Sequence, residues 1–134
     1  MDSIGGFALR TRTSLGFEEA IEKITGLLQE QGFGILTEID VQATLKAKLG
    51  INTSPYRILG ACNPPFAHRA LEAEPLVGVL LPCNVVVWDE GDSRVVAALE
   101  PNIMAKVIDN ETLGEVAREV SARIKTALTA FEQG

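Results

Sequence analysis

The sequence predicts an α+β domain: a twisted, mostly antiparallel sheet with two long helices on one face. Three observations carry this. Amphipathic helical patterns lie near both ends of the chain. Short runs rich in Val, Ile and Leu lie between them. The last two of those runs, Pro82 to Trp88 and Arg94 to Glu100, flank the turn-rich stretch Asp89-Glu90-Gly91-Asp92-Ser93, the signature of a hairpin. The 134 residues form one domain by the usual size of such units.

Ile4 to Arg12 reads as the first strand, with Phe7, Leu9 and Thr11 on one face. After Gly16, the residues Phe17, Ala20, Ile21, Ile24, Leu27 and Leu28 repeat at helical spacing, with Glu18, Glu19, Glu22 and Lys23 opposite them. Gly32 ends this helix. A second strand follows from Phe33 to Ile39, with Ile35, Thr37 and Ile39 alternating. Asp40 suits the cap of a short helix that runs through Leu49 and closes at Gly50.

Tyr56 to Cys62 is the third strand. Asn63 reads as the cap of the next helix and Pro64 as its first residue, where the missing N–H costs nothing. That helix reaches about Ala73, with Ala67, Ala70 and Leu71 inward. The last helix runs from about Thr112 to Phe131, with Leu113, Val116, Ala117, Val120, Ile124, Leu128 and Phe131 on its core face. The predicted order is β-α-β-α-β-α-β-β-α.

Composition narrows the function classes. Hydrophobic residues make up 46% of the chain and charged residues 22%, as in an ordinary globular protein. Twelve basic residues against 18 acidic ones give a net charge of -6. That balance speaks against nucleic acid and anionic membranes as partners, since both require a positive surface. The first 20 residues hold charges at Asp2, Arg10, Arg12, Glu18 and Glu19, so no signal peptide is expected, and the uncharged stretch Pro75 to Trp88 is too short to span a bilayer. The expected location is cytoplasmic, with both cysteines reduced.

Those two cysteines occur in similar settings: Leu59-Gly60-Ala61-Cys62-Asn63-Pro64-Pro65 and Leu80-Leu81-Pro82-Cys83-Asn84-Val85. Each Cys-Asn pair lies where an apolar run meets a proline. The plain reading is that Asn63 caps a helix and the cysteines pack in the core. The functional reading is a shared pocket lined by Cys62, Asn63, His68, Cys83 and Asn84 that binds a small polar ligand, since Asn both donates and accepts hydrogen bonds. A different class of function is thiol chemistry: redox, sulfur transfer or a metal-dependent reaction. There Cys62, just ahead of a helix N-terminus, is the candidate nucleophile, Cys83 the second thiol, and His68, the only histidine, the base or a zinc ligand. The bland reading of His68 is an exposed residue paired with Glu72 one turn on. The sequence contains no phosphate loop, serine elbow or fourth zinc ligand. It names no cofactor and no catalytic residue.

The segments Tyr56-Arg57-Ile58-Leu59-Gly60-Ala61-Cys62-Asn63-Pro64, Ala67-His68-Arg69-Ala70-Leu71, Glu74-Pro75 and Leu80-Leu81-Pro82-Cys83-Asn84-Val85-Val86-Val87 resemble the bacterial and archaeal domain of unknown function family 302. Gly32-Phe33, Glu38-Ile39-Asp40-Val41, Pro101 and Met104 fit it as well, so the resemblance covers roughly Leu15 to Met104. It implies a fold like that of the TATA-binding protein and pairing as a homodimer. It implies no activity, because fold alone does not carry function.

Overall fold

The computed structural model describes all 134 residues. It contains six strands in one antiparallel sheet: β1 (Asp2–Ile4), β2 (Ala8–Thr13), β3 (Gly34–Asp40), β4 (Tyr56–Cys62), β5 (Cys83–Asp89) and β6 (Arg94–Leu99), in the order β1-β2-β6-β5-β4-β3. The helices are α1 (Phe17–Glu30), α2 (Val41–Leu49), α3 (Pro64–Ala73), α4 (Ile103–Val107) and α5 (Glu111–Gln133), with a 3-10 turn over Pro75–Leu80. The α+β prediction holds.

The predicted single strand from Ile4 to Arg12 is in fact a hairpin. Gly5 and Gly6 have φ of 59° and 72°, and the Phe7 N–H donates to the Ile4 carbonyl at 3.1 Å. Two consecutive left-handed residues suit glycine and reverse the chain. Leu9 and Thr11 face the core as expected, but Phe7 lies in the turn and is exposed.

α1 ends as its sequence dictates. Gly32 takes φ of 88°, the Phe33 N–H reaches the Leu28 carbonyl at 3.0 Å, and the Gly32 N–H reaches Gln29 at 3.0 Å. This is a Schellman end, with Leu28 and Phe33 both buried beside it. The core comprises one face of the sheet (Leu9, Leu59, Ala61, Cys83, Val85, Val87, Val96, Ala98) against α1 and α5. Every core residue predicted on α5 is buried. Each large apolar side chain so buried contributes on the order of 1.5–3 kcal/mol.

β3 departs from simple alternation. Ile35 pairs with Ala61 but Thr37 pairs with Gly60, so Leu36 is a bulge. Ile35 therefore packs against the core while Thr37 and Ile39 lie on the other face, alongside Gly60 and Ile58. Beyond Gly60 this non-core face carries one row of Ile39, Ile58, Val86, Ala97 and Arg10 across five strands.

α2 is capped as predicted: Asp40 accepts from the Ala43 N–H at 2.9 Å, and Gly50 closes it at φ of 69°. It buries none of its residues. The 3-10 turn and α4 are not anticipated by the sequence reading. Both are single short elements without room for a periodic pattern.

Candidate functional site

The connection from β4 through α3 to β5 builds one side of a cavity of about 300 Å³, and 13 of its 16 lining residues are hydrophobic. Phe66, Ala67, Ala70 and Leu71 come from α3, and Val116 and Val120 close the far side from α5. The ends of the sheet contribute Phe33, Leu36, Ala61 and Cys83, while Leu81 and Pro82 form the loop side. The small side chains of Ala67 and Ala70 leave the space open. The sequence reading placed both, with Leu71, as inward packing; only Ala70 is buried, and Leu71 is 42% exposed at the rim. Leu76 and Val79 on the adjoining 3-10 turn are 71% and 83% exposed, so apolar surface extends beyond the cavity.

Three of the five residues singled out from the sequence border this cavity: Cys62, Asn63 and Cys83. His68 does not. It is exposed on α3, with Nε2 2.5 Å from Glu72, as its plain reading held. Asn84 is exposed, and its partner across the ladder is Gly60, on the non-core face. Cys62, Cys83 and His68 therefore do not converge, and no three Cys, His, Asp or Glu side chains are grouped to hold a metal ion.

Asn63 occupies the cap position of α3 but makes no side-chain cap. Its Nδ2 instead donates to the Gln31 carbonyl at 3.1 Å, crossing to the turn between α1 and β3. The cause lies in the next two residues. Pro64 and Pro65 have no N–H, so the first turn of α3 presents few free donors for a cap to satisfy. The Ala67 N–H is already held by the Asn63 carbonyl at 2.9 Å. Asn63 is 7% exposed.

The same prolines bear on the thiols. The helix N-terminus that makes Cys62 the candidate nucleophile in the sequence does not lower its pKa; burial raises it. Cys83 is pushed up from its ordinary 9.0 to about 11, first by burial and then by the neighbouring Cys62. Both cysteines are free thiols. Cys83 is opposite Ala61 in the ladder, one residue out of register with Cys62. Taking a thiolate out of water outweighs a helix end that has lost its leading donors.

Gly60 is the close-packing point behind the site. A Cβ there would stand 2.9 Å from Pro82 Cγ and closer still to Thr37 Oγ1, so glycine lets the Leu81-Pro82 segment lie against the sheet.

Sequence reasoning overlooked Arg69 and Arg123. Both guanidinium groups stand over the Phe66 ring, 5.9 and 5.1 Å from its centroid. Arg123 Nη1 also donates to the Gln31 carbonyl at 3.3 Å, the same oxygen that Asn63 holds. Helical spacing from Val120 could have placed Arg123 beside α3 only once the pairing of α3 with α5 was known.

A six-stranded antiparallel sheet backed by α1 and α5, with an apolar cavity at the β4–α3–β5 turn, defines an open-faced α+β domain. The chain belongs to the family described as Domain of unknown function DUF302, whose pattern matches residues 9–131. It is similar to an uncharacterised conserved DUF302 protein from Bacillus stearothermophilus, known from a crystal structure. The two share 31% sequence identity and superpose with a TM-score of 0.84, over 92% of this chain and 96% of that one. None of the curated proteins compared matches the chain. No helix is long and apolar enough to cross a membrane.

Proposed function

We propose that this domain binds a small, largely apolar molecule in the cavity between α3 and α5, with Asn63 on its wall. The observation that carries the reading is the lining itself: 13 hydrophobic residues of 16, with one buried amide among them. A preformed apolar cleft with few polar groups is the usual character of a small-molecule site. Its composition favours a ligand more apolar than the two Asn residues suggested from sequence. The neutral fluorophore N-phenyl-1-naphthylamine tests it. Saturable fluorescence enhancement is expected, reduced at least tenfold by Ala67→Phe, which fills the space. Absence of saturable enhancement with the unaltered protein would sink the reading.

Thiol chemistry receives less support. Both thiols are held protonated at neutral pH, and the only imidazole is outside the cavity. Two expectations accompany the ligand reading. The free thiols agree with a reducing compartment such as the cytoplasm. Pairing as a homodimer has an available surface in the row of Ile39, Ile58 and Val86 on the non-core face, where Ile39 is 48% exposed. Light scattering at tens of micromolar protein gives the mass; a monomer there refutes the pairing.

A further inference from the structure

We infer that the cavity takes an amphipathic anion, a carboxylate with a medium-length hydrocarbon tail, whose tail lies in the cavity and whose carboxylate meets Arg123 and Arg69. This rests on the cavity reading proposed above and adds the ligand's charge and class. Phe66 forms part of the cavity wall, and both guanidinium groups stand over its ring. Asn63, also on the wall, shares the Gln31 carbonyl with Arg123, so that guanidinium, though not itself a lining group, is held beside the Asn63 edge of the cavity.

The charges there are only lightly committed. Arg123 is exposed and makes a single hydrogen bond to a neutral carbonyl. Arg69 is 43% exposed and stands 3.7 Å from Glu119, an open pair worth little in water. A guanidinium fork matches a carboxylate in two parallel hydrogen bonds, and such charge-assisted bonds are the stronger kind. The chain carries 12 basic residues against 18 acidic, so two cations flanking one aromatic wall run against its overall charge. A cationic amphiphile would meet the guanidinium groups as like charges. A neutral one would gain only the apolar burial.

Octanoate, octan-1-ol and octylammonium share one tail and differ in the head. Competition with N-phenyl-1-naphthylamine ranks them. Octanoate is expected to bind tightest, about tenfold better than the alcohol, and octylammonium weakest. Arg123→Gln removes about tenfold of octanoate affinity and leaves octan-1-ol unchanged; Arg69→Gln does the same to a smaller degree. Both substitutions are on exposed helical positions, and far-UV circular dichroism confirms that the fold is retained. Ala67→Phe weakens all three ligands together. If octanoate and octan-1-ol bind equally, or if neither Arg variant alters their ratio, the anion proposal is overturned while the cavity reading stands. If no member of the series displaces the probe from the unaltered protein, the proposal fails; if the probe itself does not bind, the cavity reading fails with it.

Discussion

Replacing Gly60 by Ala separates a packing argument from a propensity argument, because the two predict opposite signs. Glycine in a strand interior is less stable than alanine by roughly 0.5–1 kcal/mol, so Ala in open space would stabilise the chain. The space at Gly60 is not open. The added Cβ would stand 2.9 Å from Pro82 Cγ, with Thr37 Oγ1 nearer and Thr37 Cβ at 3.5 Å. The proline ring cannot rotate away, and the β-branched Thr37 has few alternative rotamers. Overpacking of this kind costs about 1–3 kcal/mol. Net destabilisation of about 1–2 kcal/mol is expected, a fall in Tm of roughly 4–8 °C for a domain of this size. Scanning calorimetry or the urea midpoint measures it. Thr37→Ala alone removes an exposed side chain and changes little, yet it relieves the closer of the two clashes. The double variant is expected to recover part of the loss, a coupling of about 0.5–1 kcal/mol. If Gly60→Ala is as stable as the unaltered protein or more so, the packing assigned to Thr37 and Pro82 is wrong.

Other outcomes follow from the same geometry. At an ordinary helix cap Asp and Asn are equivalent. Here Asn63→Asp loses the N–H that holds the Gln31 carbonyl, and Arg123 on the same oxygen offsets only part of the carboxylate's cost. It is therefore expected to destabilise, as does Asn63→Ala, by about 1 kcal/mol in urea unfolding; an Asp variant as stable as the unaltered protein would refute the assignment. Cys83 has a folded pKa of about 11 against an ordinary 9.0. The stability its neutral thiol contributes is complete below pH 9.0 and lost as pH rises toward 11, about 3 kcal/mol across that window. Cys83→Ala should flatten the alkaline limb of the stability profile by a corresponding amount; an unchanged limb refutes the assignment. Alkylation by iodoacetamide near pH 8 should be slow at both thiols and slower at Cys83, the more buried; rapid labelling of Cys83 would contradict its burial.

The long helices were legible because burial on α1 and α5 repeats at the helical period over several turns. The hairpin at Gly5-Gly6 was open to the sequence, since a Gly-Gly pair is a turn signal, but the reading of Ile4 to Arg12 as one strand passes over it; the positive φ of both glycines shows the reversal. The bulge at Leu36 left no local sign either. Ile35, Thr37 and Ile39 alternate in sequence, while the step that puts Ile35 and Thr37 on opposite faces appears only in their pairing with Ala61 and Gly60. Cys62, Asn63 and Cys83, singled out because they lie at strand ends beside prolines, border the cavity. His68 and Asn84 were grouped with them by sequence proximity, which the geometry of α3 and the pleat of β5 do not respect. The cavity depends on what small side chains leave unfilled, and a residue such as Ala67 looks the same in sequence whether its neighbour is a side chain or a void.

α2 has a different standing from the other long elements. It contributes no buried residue, and its ties are local or short: Thr44 Oγ1 donates to the Asp40 carbonyl at 2.9 Å, and Gln42 Nε2 to the Thr53 carbonyl at 2.8 Å. A segment held this way opens without disturbing the core, and its amides exchange with solvent well before those of α5. Substitution or lengthening between Val41 and Asn52 is expected to leave the Phe66 wall and the Cys83 strand as they are, because no buried side chain of α2 joins them. The tie to that strand begins only at Pro55, whose carbonyl accepts from the Asp89 N–H at 3.1 Å.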